Sequence, residues 1–200
     1  GVGYAYANEF VRRCKWVVIC DVKDPAAAVA AIQNELPDSL GKIYGTVTDV
    51  SDVESVRALA AFAKDKIGTV HYWINNAGIN GGRRSFLEVP SEVVEAVVKV
   101  NLIGTLHCTQ EAIKLLQGQR GVESHVFNTV GSGVKGGGTP GYACYGATKR
   151  GLPQLTDSLV KELTEGVQGY DKPQPVGKVS VHTLSPGMVF TKLLLDDSTP

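Results

Sequence analysis

The chain has no excess of either charge: twenty Lys and Arg balance twenty Asp and Glu over 200 residues. That balance gives no sign of a nucleic-acid partner, and no basic block marks a membrane surface. No apolar run reaches the ~20 residues that a membrane-spanning helix needs. Cysteine is sparse. Cys14, Cys20, Cys108 and Cys144 show no C-x-x-C spacing, so they read as scattered reduced or buried thiols and not as a disulfide framework. His71, His107, His125 and His182 form no H-E-x-x-H or similar grouping, which argues against a metal centre. Repeats and low-complexity tracts are missing as well. So is an opening strand. The chain starts Gly1-Val2-Gly3-Tyr4 and runs straight into a helical stretch to about Arg13, whereas a doubly wound fold should begin with an apolar strand entering its glycine turn. The expectation is a single partial domain over residues 1–200, incomplete at both ends, short of its first strand and of its C-terminal end. No signal peptide precedes Gly1, and a targeting segment lost with that start would leave no trace.

What is present alternates. Apolar runs at Trp16–Cys20, Lys42–Val47, Val70–Asn75, His125–Val130 and Val179–Leu184 read as strands. Helical patterns fall at Ala26–Leu36, Asp52–Lys66, Ser91 to about Gln117, with Ser91 as its cap, and about Tyr142 to Thr164. Strands alternating with helices imply parallel βαβ units, an α/β fold with a Rossmann-like doubly wound sheet. In such a sheet ligands bind beyond the carboxyl ends of the strands. Asp21, Asp49, Asn76 to Gly78, Ser132 and Pro186-Gly187 all follow strands directly, so they gather on one rim. Gly166 to Gly177, which follows a helix, must lie on the other, where it suits contact with a partner or lipid.

Tyr145-Gly146-Ala147-Thr148-Lys149 concentrates the chemistry. A tyrosine and a lysine four residues apart on a helix share a face. A free phenol has a pKa near ~10, and a neighbouring ammonium stabilises the phenolate. The pair can therefore relay a proton to or from a carbonyl/alcohol oxygen. Ser132 stands thirteen positions earlier, where a buried strand runs into a glycine turn, and its hydroxyl can donate to a substrate oxygen. Asn101 interrupts a long helical pattern, where asparagine competes for backbone groups. It reads either as a tolerated surface residue or as the holder of a water in a proton path. Gly1 and Gly3 precede a helix and would let backbone amides approach a pyrophosphate. Asp21, at a strand end, can accept hydrogen bonds from ribose hydroxyls and would repel a 2′-phosphate, with Lys23 nearby acting the other way. Asp49, ahead of Asp52, reads as a helix cap.

Asn75-Asn76-Ala77-Gly78, Asn101 in a V-N-L-x-G context, Ser132, Y-x-x-x-K at Tyr145 and Lys149, and Pro186-Gly187 with Thr191 following come in the order and spacing of a known family. The chain resembles a short-chain dehydrogenase/reductase over nearly its whole length. Trp73 to Gly78, Phe127-Asn128 with Gly131, Tyr145 to Arg150, and His182 to Val189 with Leu193-Leu194 resemble plant and algal chlorophyll b reductase within it. The resemblance implies NAD(H) or NADP(H) as cofactor. It implies Tyr145 as proton donor, Lys149 as the group that lowers the tyrosine pKa and holds the nicotinamide ribose, Ser132 as substrate positioner and Asn101 as support of a proton relay. Gly1, Gly3, Asp21, Asp49, Val50, Asn76, Ala77, Gly78, Pro186, Gly187 and Thr191 are the implied remaining cofactor contacts. The implied substrate is the formyl group of chlorophyll b, in a chloroplast, with peripheral thylakoid association and pairing of subunits through the helices ending near Gln117 and Thr164. Asp21-Val22 departs from the small residue and Arg of that subfamily. A short-chain reductase of a steroid, sugar or acyl carbonyl, and a non-catalytic dinucleotide-binding partner, are the other readings; the intact set Asn101, Ser132, Tyr145 and Lys149 argues against the last.

Overall fold

The computed structural model describes residues 1–131, 134, 136–169, 176–187 and 189. Helix α1 (Val2–Arg12) leads into strand β1 (Trp16–Asp21), followed by α2 (Ala26–Glu35), β2 (Lys42–Val47), α3 (Val53–Ile67) and β3 (Tyr72–Asn75). A short 3-10 turn (Phe86–Glu88), α4 (Ser91–Val98), a π-helical segment (Lys99–Gly104) and α5 (Thr105–Gln117) precede β4 (Glu123–Thr129), α6 (Ala143–Glu165) and β5 (Lys178–Leu184). All strand pairs are parallel. Each βα unit therefore returns to the same edge, and the strand ends share one rim.

Among the described residues the ladder order is β1-β2 and, separately, β3-β4-β5. A break separates the two ladders. Helix α3 spans it: Leu59 and Ala63 pack with Trp73, Ala112, Leu116, Val126 and Val181, and Val18 of β1 joins the same core. A second core joins Ala7 and Val11 of α1 to Ile32 of α2 and Ile43 of β2. Truncating a fully buried leucine such as Leu116 costs ~2–5 kcal/mol in such settings. On the other face of β3-β4-β5 lies a row of rings, Tyr72, His125, Phe127 and His182. Phe10 of α1 stacks on Tyr72 at 6.0 Å between centroids and bridges the break.

Three sequence expectations need correction. Strand β3 starts at Tyr72 and not at Val70, because side chains take the Val70 backbone. Gln119 accepts from its amide at 2.7 Å and donates to its carbonyl at 2.8 Å, and Ser124 adds a bond to that carbonyl at 3.1 Å. Ser91 is the first helical residue and makes no capping bond; Pro90 precedes it in extended backbone. The helix from Ser91 to Gln117 is not uniform but widens to π geometry at Lys99–Gly104.

Candidate active site

The π segment explains where Asn101 goes. A mid-helix asparagine normally faces solvent, but a π bulge rotates the local frame, and Asn101 is 0% exposed. Its Nδ2 donates to the Ile79 carbonyl at 2.7 Å and its Oδ1 accepts from the Ile79 amide at 2.8 Å. It also donates to Thr148 Oγ1 at 3.3 Å, while Thr105 Oγ1 donates to the Asn101 carbonyl at 2.8 Å. The surface reading of Asn101 is thereby excluded. The residue ties the loop after β3 to α6.

Gly78 sits at the centre. A Cβ added there would stand 3.2 Å from Asn101 Oδ1 and 3.3 Å from Lys149 Nζ. Lys149 is buried, and its ammonium donates to the Thr129 carbonyl at the end of β4 at 2.9 Å. It also lies 5.9 Å from the Tyr145 ring centroid. Burial pulls the Lys149 pKa down from 10.5 to about 8. Burial also raises the Tyr145 hydroxyl above the ordinary phenol value. The lysine does not offset that rise, because its nearest partner is the Thr129 carbonyl and not the phenolic oxygen. Tyr145 is thus held protonated at neutral pH, as a proton donor requires. Among the described residues its hydroxyl makes no hydrogen bond, and it lies over Gly131, the first residue beyond Val130.

The remaining rim residues fall as the strand ends dictate. Thr129 of β4 pairs with Leu184 of β5, so Ser185, Pro186 and Gly187 leave beside Gly131, with Gly187 at φ +74°. Gly1 precedes the first residue of α1 and Gly3 lies in its first turn, where a Cβ would come 3.0 Å from Asn76 Nδ2. The helix start and the Asn76-Ala77-Gly78 turn are therefore neighbours. Asp21 is exposed at the end of β1, its carboxylate accepting the Lys23 amide at 3.0 Å. Asp49 closes a turn, accepting from the Ser51 amide and hydroxyl at 2.9 and 2.7 Å. The cap of α3 is Asp52, which accepts the Glu54 amide at 3.0 Å. Val50 packs on the π segment at Gly104, where a Cβ would meet its Cγ2 at 2.8 Å. Ser132 and Thr191 lie outside the described residues.

The sequence reading passed over Thr148, Thr129, Gly131 and the Ile79 backbone, which join the named residues to one another. It also passed over a buried network beneath the rim. Trp73 Nε1 donates to Asn75 Oδ1 at 2.8 Å, and Asn75 Nδ2 donates to Thr109 and to Asn128 Oδ1 at 3.0 and 2.8 Å. Such shared acceptors fix side-chain positions in the low-dielectric interior.

These residues fit a dinucleotide. The start of α1 faces Asn76 without intervening side chains, Asp21 offers an exposed carboxylate, and Lys149 has two N–H groups beyond the one given to Thr129. The model of the short chain dehydrogenase family matches residues 1–198. The chain belongs to that family. It is 39% identical over 203 residues to a chloroplastic chlorophyll(ide) b reductase of Oryza sativa subsp. japonica, covering 100% of this chain and 56% of that protein. A chloroplastic chlorophyll(ide) b reductase of Arabidopsis thaliana is 39% identical over 202 residues, covering 100% of this chain and 55% of its own. The chain thus spans a little over half the length of these two relatives. The crystal structure of the NADH-dependent reductase A1-R′ complexed with NAD shares the fold, with a TM-score of 0.79 at 24% identity over 95% of this chain and 75% of that one.

Proposed function

We propose that this oxidoreductase, which works with NAD(P)(H) as its family does, reduces the formyl group of chlorophyll b to a hydroxymethyl group. The observation that carries the reading is the Gly78–Asn101–Lys149–Tyr145 cluster. The identity to two chlorophyll(ide) b reductases over the full chain supports the choice of substrate. The bound nicotinamide supplies the hydride. Tyr145 gives its proton to the developing alkoxide, a stronger base than the phenolate left behind. Lys149, its ammonium held by the Thr129 carbonyl, offers its spare N–H groups to the nicotinamide ribose. Asn101 fixes the Ile79 backbone and, through Thr148, the helix that carries the pair. Ser132 positions the substrate oxygen and Thr191 holds the carboxamide. Gly1, Gly3, Asp21, Asp49, Val50, Asn76, Ala77, Gly78, Pro186 and Gly187 line the cofactor. The relatives are chloroplastic, which supports a chloroplast location at the thylakoid surface. No helix among the described residues is long and apolar enough to cross a membrane. Pairing through α5 and α6 completes the reading.

The test is Tyr145→Phe in the full-length protein, assayed on chlorophyll b with each cofactor. Removing only the donated proton should lower kcat by ~10²–10⁴ and leave cofactor binding, read by fluorescence titration, nearly unchanged. Turnover near that of the wild type would remove Tyr145 from the mechanism. No reduction of chlorophyll b by the unaltered protein would remove the substrate.

A further inference from the structure

The loop between β3 and α4 leaves the site carrying charges that no described residue balances. It starts at Ile79, held by Asn101, and turns at Gly81 and Gly82, both with φ near +80°. It then lies against the start of α6. The Arg84 amide donates to the Gly141 carbonyl at 3.1 Å. The Arg83 stem packs on Gly141, where a Cβ would come 2.9 Å from its Cγ. Gly141 stands four residues before Tyr145, in the turn that precedes α6. Arg83 and Arg84 are exposed and make no ion pair with any described residue. Glu88, four and five residues on, pairs with neither. Directly after them come Phe86 at 62% and Leu87 at 93% exposure, on a short turn anchored by Ser85 and Phe86 carbonyls. Two guanidiniums with no ion-pair partner among the described residues, next to two exposed apolar side chains on a loop that packs against the turn leading into the Tyr145 helix, suit a ligand with a large apolar body and an anionic group.

We propose that Arg83 and Arg84 hold a carboxylate of the substrate while Phe86 and Leu87 cover its apolar ring system. This rests on the reading of a formyl-bearing macrocycle as substrate, and narrows it to the free acid over the ester. Guanidinium–carboxylate pairs are charge-assisted and bidentate, and an ester offers neither the charge nor a second equivalent acceptor oxygen. The full-length protein should therefore reduce a formyl chlorin acid with a kcat/KM at least ~10-fold above that of its methyl ester, the scale of one charged hydrogen bond. In Arg83→Gln/Arg84→Gln the acid's efficiency should fall more than the ester's, and the ratio should approach one. Arg83→Lys/Arg84→Lys should keep part of the preference.

A second arm needs no reduction. Binding of a porphyrin dicarboxylic acid and its dimethyl ester, followed by fluorescence quenching, should show the same preference and the same loss. Failure to reduce formyl chlorins with the binding preference intact would sink the chlorophyll substrate and leave the arginine site standing. Equal handling of acid and ester by the unaltered protein in both arms would overturn the site, as would a ratio unmoved in the double Gln variant. So would a variant that loses only binding to anionic phospholipid vesicles, since the loop would then be a membrane contact.

Discussion

The Tyr145 ring lies across Gly131 so closely that a Cβ at 131 would stand 2.8 Å from Tyr145 Cε1 and 2.9 Å from Cζ, and nearer still to the hydroxyl oxygen. Gly131 has no positive φ, so its lack of a side chain is a matter of space and not of backbone strain.

Gly131→Ala should therefore push the phenol aside without disturbing β4. A misplacement of ~1 Å at a reacting group costs up to ~10² in rate, so kcat should fall ~10–100-fold while the melting temperature and cofactor affinity hold. Steady-state kinetics and a cofactor titration would read both. A Gly131→Ala protein with unchanged kcat would mean that Tyr145 adopts another rotamer when it works.

The fold and the poles of the site were legible because they rest on local patterns. Apolar runs bounded by helical periods gave each strand within a few residues, and strand ends in a parallel sheet share a rim by topology alone. The Tyr145/Lys149 spacing predicted a shared helix face, and the Lys149 ammonium does lie 5.9 Å from the Tyr145 ring centroid. What stayed hidden depends on long-range partners. The burial of Asn101 needs a π segment, and nothing in V-N-L-I-G distinguishes that from α-helix until Ile79 arrives to take both amide groups. The late start of β3 depends on Gln119, forty-nine residues away. The lowered tyrosine pKa was expected from the lysine's proximity, but the ammonium turns to the Thr129 carbonyl and burial decides the sign.

Lys149 should cost stability. A fall from 10.5 to about 8 in a buried ammonium corresponds to about 3 kcal/mol of penalty on the charged form. The bond to the Thr129 carbonyl returns about 1 kcal/mol. Lys149→Met should then be inactive yet more stable by ~1–2 kcal/mol at pH 7, a rise of a few degrees in Tm for a chain of this size. The sign in pH follows from the depressed folded value. Between about 8 and 10.5 the unfolded chain binds the extra proton, so the lysine's penalty fades as pH rises through that window. The variant's advantage should shrink between pH 8 and 10 in denaturant titrations. A variant less stable than its parent at pH 7 would show that the Thr129 bond outweighs burial.

Asp21 should decide between the two cofactors. Its carboxylate is exposed at the end of β1, with one bond to the Lys23 amide. A 2′-phosphate there would meet a fixed negative charge, whereas two ribose hydroxyls would meet an acceptor. The full-length protein should show a higher kcat/KM with NADH than with NADPH, and Asp21→Ser should narrow or reverse the ratio. A clear NADPH preference in the unaltered protein would place control with the Lys23 side chain.

The paired histidines predict a loss of stability on the acid side. His125 Nδ1 and His182 Nε2 lie 3.1 Å apart across β4 and β5, close enough to share one proton but not to carry two charges. Tyr72 and Phe127 flank them, and Glu123 and Lys178 on the same two strands pair with each other at 2.8 Å. Burial first, and the neighbouring His125 second, hold His182 below the usual histidine value. In the unfolded chain His182 takes up its proton near pH ~6.5, while in the folded chain it resists until the pH is lower. Stability is therefore full above that pH and falls as the pH drops toward the folded value. Glu123, held below the usual glutamate value by Lys178, titrates at lower pH and does not contribute within this window. Denaturant midpoints of the full-length protein at pH 7.5 and 5.5 should differ more in the unaltered chain than in His182→Gln, whose amide can still bond His125. Parallel pH profiles for the two proteins would show that the pair accepts a second proton at no cost.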